Sequence, residues 1–208
     1  MKYEWRKNDK KYYLPKNKPE IIQVPPMKFF MLDGNGNPNE EAFSEAVGVL
    51  YSLAYAVKMM PKSGEAAEGY FDYTVFPLEG IWDIDVSEGA GEVLDKDKLI
   101  YTIMIRQPEF VDAGLAKKVL DQVKKKKYNS LLEKVRFGEL EDGTCVQMMH
   151  LGSYDGEPAS FRLMEMFCEE NGLARTEMRH REIYISDVRK TEPSKLKTVL
   201  RIKVKERG

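Results

Sequence analysis

Histidine and cysteine are nearly missing from this chain, with two of each among 208 residues. Cys145 and Cys168 lie far apart and outside any metal-ligand spacing, so they read as two reduced core thiols. With only His150 and His180, neither a histidine-based metal cluster nor a histidine-dependent triad has its parts, and no metal or organic cofactor is expected. No run is long and apolar enough to span a bilayer, and the opening MKYEWRKNDKKYYLPKNKPE has no apolar signal core, so a cytoplasmic protein is expected. A charge excess is missing too. The 33 basic and 34 acidic residues leave a net charge of −1 and no overall pull toward nucleic acid or an anionic membrane. No helix-turn-helix or other DNA-reading module is visible. These absences leave a small molecule as the expected partner of a monomer or weak homodimer. The last strand is free to add to a neighbour, and the basic N-terminal arm is equally able to cover that edge.

What the chain has in quantity is ring and thioether: eleven Tyr, nine Phe, two Trp and eleven Met. Such residues serve core packing, or line an adaptable apolar pocket tipped with hydroxyls. The length suits one large domain or two small fused units, and is enough for a sizeable core.

Residues 1–20 read as an arm or short helix laid on that domain. The segment 21–33 reads as a strand broken at Pro25-Pro26, with a loop over 34–38. A helix follows, capped by Asn37, opened by Pro38 and ended by Pro61. Phe43, Ala46, Val47, Leu50, Leu53, Ala54 and Val57 recur along it at three- and four-residue spacing and define its buried stripe. Strands are expected over 73–84 and 99–107 with the polar loop SEGAGEVLDKDK between them. A second helix over 112–127 turns Leu115, Val119, Leu120 and Val123 inward, and its lysines 124–127 read as a solvated helix end. Strands over 132–140 and 144–151 flank Glu141-Asp142-Gly143 and predict a hairpin. A helix over 158–170 ends at Asn171-Gly172, and strands over 182–186 and 197–205 close the chain.

The order strand, helix, strand, strand thus occurs twice. Met31, Gly34 and Phe43 in the first half are echoed at the same spacing by Met149, Gly152 and Phe161 in the second. The expected fold is α+β: pseudo-two-fold duplicated units, an antiparallel sheet, and a ligand cleft between the repeats. Residues 1–20 are the arm, 21–127 the first repeat with its following helix, and 128–208 the second repeat.

Two acidic–aromatic segments occupy corresponding places. In the strand HREIYISD at 180–187, Glu182 and Tyr184 share one face and Ile183 and Ile185 the other. In PLEGIW at 77–82, Glu79 and Trp82 have odd spacing and oppose each other unless a bulge at Gly80 turns them together. A carboxylate beside an aromatic ring neutralises a lipophilic cation, orients a water, or accepts from a ligand donor. The competing reading is a carboxylate tied to a neighbouring arginine or backbone amide.

PLEGIW at 77–82, IRQPEF at 105–110, VQMMHLGSYDGEP at 146–158, REIYISD at 181–187 and LKTVLR at 196–201, in that order and spacing, resemble the GyrI-like small-molecule-binding family in its stand-alone form. The resemblance spans nearly the whole chain after about residue 20. It implies a cleft glutamate at Glu182, the residue that meets cationic aromatic drugs in drug-sensing relatives, with Glu79 as its counterpart. The family often carries two histidines before this glutamate, where this chain has His180-Arg181. An arginine beside Glu182 on a regular strand points to the opposite face and leaves the carboxylate free. One stand-alone subfamily is similar to enzymes that open the cyclopropane of DNA-alkylating natural products of the yatakemycin type within an aromatic cage. That similarity implies Glu182, Tyr184 and Glu79 as catalytic residues and Trp82, Phe76, Tyr154, Tyr101 and Tyr70 as ring candidates. His150, Ser153 and Glu157, from the matching loop, support the cleft.

Overall fold

The computed structural model describes residues 2–84 and 96–207. Most of the expected polar loop at 87–98 lies outside them, and its end at Lys96–Lys98 is a short 3-10 turn. In chain order the main elements are helices α1 (Trp5–Asn8) and α2 (Lys10–Tyr13), strands β1 (Glu20–Val24) and β2 (Met27–Asn35), helix α3 (Glu41–Met59), strands β3 (Leu78–Ile84) and β4 (Leu99–Arg106), helix α4 (Ala113–Lys126), strands β5 (Arg136–Leu140) and β6 (Gly143–Leu151), helix α5 (Glu157–Glu170), and strands β7 (Leu173–Arg175), β8 (His180–Tyr184) and β9 (Lys197–Glu206). The seven ladders whose register is described are antiparallel, and the fold is α+β.

Two compact units form, and neither is one contiguous stretch. The first holds residues 1–4, 27–78 and 83–140, and the second holds 5–26, 79–82 and 141–208. In the first unit β2 lies between β4 and β5. Helix α3 packs on β2 and β4 through Leu50, Leu53, Ala54 and Val57, all buried, and α4 buries Ala116 and Val119. Asp112 caps α4 by accepting from the Leu115 amide at 2.7 Å. The start of α3 differs from expectation. Asn37 spends its side chain on the Asn39 amide in a preceding turn, and the helix begins at Glu41. Strand β2 runs on to Asn35 because Gly34, opposite Tyr101, leaves room for that ring; a Cβ there would lie 2.4 Å from Tyr101 Cε2. Phe43 closes on the same ring at 5.2 Å.

In the second unit the strand order is β1-β6-β9-β8-β3, with β7 on the far end of β9. Register assigns each side chain to a face, because directly opposed residues project together. Val146 faces Ile202, Met148 faces Leu200, and Glu182 also faces Leu200. Helix α5 covers this face with Met164 and Cys168, closing a core that includes Leu173 and Val204. Gln147 opposite Arg201, and Arg181 opposite Arg201, belong to the other face. There α1 and α2 are tied down: the Lys11 carbonyl accepts from Gln147 Nε2 at 2.7 Å, and the Tyr12 carbonyl from Arg201 Nη2 at 2.8 Å.

The expected hairpin over 141–143 does not form. Strand β5 pairs with β2, while β6 pairs with β1 and β9. Asp142, read as a turn residue, is buried against Arg181 and Arg201, and that long-range pairing overrides the local turn signal. At the breaks Pro25-Pro26 and 141–142, consecutive strands part to different partners. Cys145 and Cys168 are buried free thiols.

Candidate functional site

Strand β3 enters the second unit beside β8 with one-to-one register: Glu79 opposite Ile183, Gly80 opposite Glu182, Ile81 opposite Arg181, Trp82 opposite His180. No bulge interrupts it at Gly80, so of the two alternatives the odd spacing of Glu79 and Trp82 decides. The two side chains leave the strand on opposite faces. Gly80 instead provides space: a Cβ there would stand 2.6 Å from Trp82 Nε1, so the indole folds back over the glycine.

On the α5 face this places Trp82, Glu182 and Tyr184 together. Trp82 Nε1 donates to Tyr184 Oη at 2.7 Å, and Tyr184 Oη donates to Glu182 Oε2 at 2.8 Å. His180 Nε2 lies 3.0 Å from Glu182 Oε1, and the His180 ring stands edge-on to Phe161. Tyr154, from the short turn before α5, sits edge-on to Tyr184 at 6.1 Å between ring centres and is 37 % exposed. Glu157, in the first turn of α5, is 7 % exposed, and its Oε1 is buried with no hydrogen-bond partner. Burial first, then the Glu182 charge, push its carboxyl up to about 9. Burial and the Glu182 charge likewise raise both the Tyr184 and Tyr154 hydroxyls well above the ordinary tyrosine range. No lysine or arginine pairs with Glu182 among the described residues; its one ion-pair partner there is His180.

The opposite face is chemically closed. Glu79, 2 % exposed, accepts from Arg181 Nη1 at 3.0 Å and from Tyr13 Oη at 3.3 Å. Arg181 also meets Asp142 at 2.8 Å. Burial works against the Arg181 charge, but Asp142 and Glu79 outweigh it and hold the guanidinium firmly protonated. Burial raises the Asp142 carboxyl, and Arg181, Arg201 and Lys203 pull it back below the usual range. Arg181 thus faces away from Glu182, as a regular strand requires.

The remaining predicted residues are placed as follows. His150 is buried, with Nδ1 2.9 Å from Ser160 Oγ and Nε2 2.9 Å from the Ser153 carbonyl, so both ring nitrogens are engaged in holding the 151–160 segment. Phe76, Tyr101 and Tyr70 belong to the first unit. Phe76 packs among Tyr3 and Tyr73 beneath the Arg106 guanidinium, Tyr101 lies on Phe43, and Tyr70 lies against Phe110 with its hydroxyl on the Lys58 carbonyl. Sequence reasoning assigned Glu157 a supporting role; the effect of the Glu182 charge on it acts between a helix and a strand and has no local signature. His180 went unassigned, although its two-residue spacing from Glu182 put both on one face. Among the described residues, no group of three His, Cys, Asp or Glu side chains could hold a metal, and no helix is long and apolar enough to cross a membrane.

Buried carboxyl groups near tryptophan and tyrosine rings, on one face of an antiparallel sheet, make this the candidate site. The chain belongs to the GyrI-like small molecule binding domain family, whose model matches residues 17–205. It is similar to two crystal structures of proteins from Listeria innocua described as hydrolases. One is 37% identical with a TM-score of 0.88, covering 98% of this chain and 100% of that one. The other is 39% identical with a TM-score of 0.89, covering 99% of this chain and 100% of that one. The C-terminal domain of EcmrR, 14% identical over 91% of this chain and 98% of its own, has a TM-score of 0.52 and shares the fold alone. No curated protein matches the chain.

Proposed function

We propose that this protein hydrolyses the cyclopropane of DNA-alkylating cyclopropanoids of the yatakemycin type, with Glu182 as general base and Trp82, Tyr184 and Tyr154 as the rings that hold the flat substrate. The observation that carries this reading is a carboxylate held by Tyr184 and His180 beside edge-on tyrosine rings, with no lysine or arginine paired with it among the described residues. Each Glu182 oxygen retains a lone pair after accepting its one donor, so it can take a proton from water. The description of two relatives at 37% and 39% identity as hydrolases supports the same direction.

The chemistry balances without a cofactor. Water oxygen bonds to the strained ring carbon, the carbon–carbon bond conjugated to the dienone breaks, and its electron pair moves into the ring system as a phenolate. Glu182 takes the water proton, and the phenolate is protonated in turn. General-base assistance of this kind contributes about 10²–10⁴-fold. Ring strain in the substrate supplies the driving force. Glu79, bound by Arg181 and Tyr13, is assigned to the scaffold and not to this step. The same reading treats β2–α3–β3–β4 and β6–α5–β8–β9 as copies of one ancestral unit.

A second reading has its own support. Two buried carboxyl groups without a lysine or arginine partner also suit a protein that sequesters lipophilic aromatic cations. Incubation with a cyclopropanoid, followed by mass spectrometry for the water adduct, separates the two. Hydrolysis predicts many turnovers per protein, and Glu182→Gln abolishes them. One equivalent bound, with no adduct above the uncatalysed rate, leaves sequestration.

A further inference from the structure

Glu182 and Trp82 are 8 % and 6 % exposed, so a flat substrate reaches neither until a covering group moves. Tyr154 is the exposed ring of the set, edge-on to Tyr184, whose hydroxyl lies on Glu182. It sits in the short segment Gly152–Gly156, which has a glycine at each end. Gly152 has a φ of +120°, a conformation that residues with a side chain rarely adopt. Its amide is tied to the Leu196 carbonyl at 3.0 Å. At the other end, a Cβ on Gly156 would stand 3.3 Å from His150 Cε1, so the segment folds down onto the imidazole. His150 fastens it there. The Ser153 carbonyl accepts from the Gly156 amide at 2.9 Å and lies 2.9 Å from His150 Nε2. A carbonyl only accepts, so Nε2 carries the ring proton and donates. Nδ1 is left as an acceptor for the Ser160 hydroxyl on α5, 2.9 Å away. One buried imidazole thus joins β6, the segment bearing Tyr154, and α5.

We propose that residues 152–156 form a hinged flap over Glu182: Tyr154 swings out to admit a flat substrate and closes on it, and His150 is the positioning residue that sets the closed form. The two glycines absorb the backbone rotation. Closure holds the substrate against Tyr184 and keeps bulk water from the reacting carbon. Both nitrogens of His150 are spent on the fastening, so it acts on the reaction only through Tyr154. The proposal rests on the reading of Glu182 as the base that meets the substrate.

Access to position 182 is measured without substrate by making Glu182→Cys in the full chain and timing its reaction with N-(1-pyrenyl)maleimide, a flat reagent. Cys145 and Cys168 are buried, and the protein without the added thiol gives the background rate. His150→Leu, added to Glu182→Cys, removes the donor to Ser153 and is expected to speed labelling about ten-fold, the equivalent of one lost hydrogen bond. His150→Gln, whose side-chain amide can donate to the same carbonyl, is expected to label at the parent rate. Tyr154→Ala, which leaves the fastening intact, is expected to label at least as fast as His150→Leu. In the protein that keeps Glu182, His150→Leu should raise KM for a cyclopropanoid about ten-fold with kcat nearly unchanged. Labelling unchanged in either His150→Leu or Tyr154→Ala, or raised equally in His150→Leu and His150→Gln, overturns the proposal. So does a fall in kcat at unchanged KM, which loss of folded protein alone produces. Absence of turnover in the parent protein, with labelling rates as expected, sinks only the hydrolase reading.

Discussion

Strand β8 buries charge on both of its faces, and the two faces handle it in opposite ways. On one, Arg181 stands between Glu79 and Asp142, with Arg201 and Tyr13 completing the set. On the other, Glu182 meets the Tyr184 hydroxyl and a histidine, and its charge raises the buried carboxyl of Glu157. Opposite charges in contact cancel the cost of burial and leave nothing for a ligand to gain. Buried like charges near one another leave that cost standing until a proton or a ligand arrives, which makes this face the candidate site. The difference between adjacent residues 181 and 182 comes from strand alternation alone. It separates the scaffold from the site within one hydrogen-bonded ribbon.

The largest effect expected is on the closed face. Arg181→Met leaves Glu79 and Asp142 buried without their main partner and should lower unfolding free energy by about 3–5 kcal/mol in urea titrations. Gly80→Ala attacks the open face without touching a charge. Its methyl displaces the Trp82 indole from Tyr184, and the overpacking should cost about 1–3 kcal/mol together with much of the ligand affinity, measured by thermal melts and titration.

Glu157→Gln works in the other direction. A carboxyl raised by burial to about 9 holds its proton in the folded state above the pH at which the unfolded chain releases it, so wild-type stability falls as pH rises between about 4.5 and 9. The variant lacks this slope. Its advantage should be absent near pH 4, grow by at most about 1.4 kcal/mol per pH unit, and reach roughly 1–3 kcal/mol near pH 8 by denaturant titration. Trp82→Phe is the mildest change. It keeps a ring but removes the donor to Tyr184, and should cost about 0.5–1.5 kcal/mol.

Local patterns in the sequence carried much of the fold. The proline pair between β1 and β2, the stripe along α3 and the Asn171-Gly172 stop were readable because each acts within a few residues. The period-two pattern of HREIY placed Glu182 and Tyr184 on one face and Arg181 on the other for the same reason. The turn at 141–143 misled because Asp142 is claimed by arginines about 40 and 60 residues away in sequence, beyond any local signal. Gly80 left a bulge open, since a glycine in a strand marks either a bulge or a close approach, and here it is the close approach of a ring two residues on. The effect of Glu182 on Glu157 was hidden by the place of Glu157 in a helix first turn, where an acidic residue already has a sufficient local explanation in the helix dipole.

The contrast between the two faces is tested most directly by measuring cyclopropanoid turnover and unfolding free energy side by side in Glu79→Gln and Glu182→Gln. The account predicts that Glu79→Gln loses stability while each folded molecule still turns over, and that Glu182→Gln stays folded and loses turnover. Turnover lost through Glu79 and preserved in Glu182→Gln would contradict it.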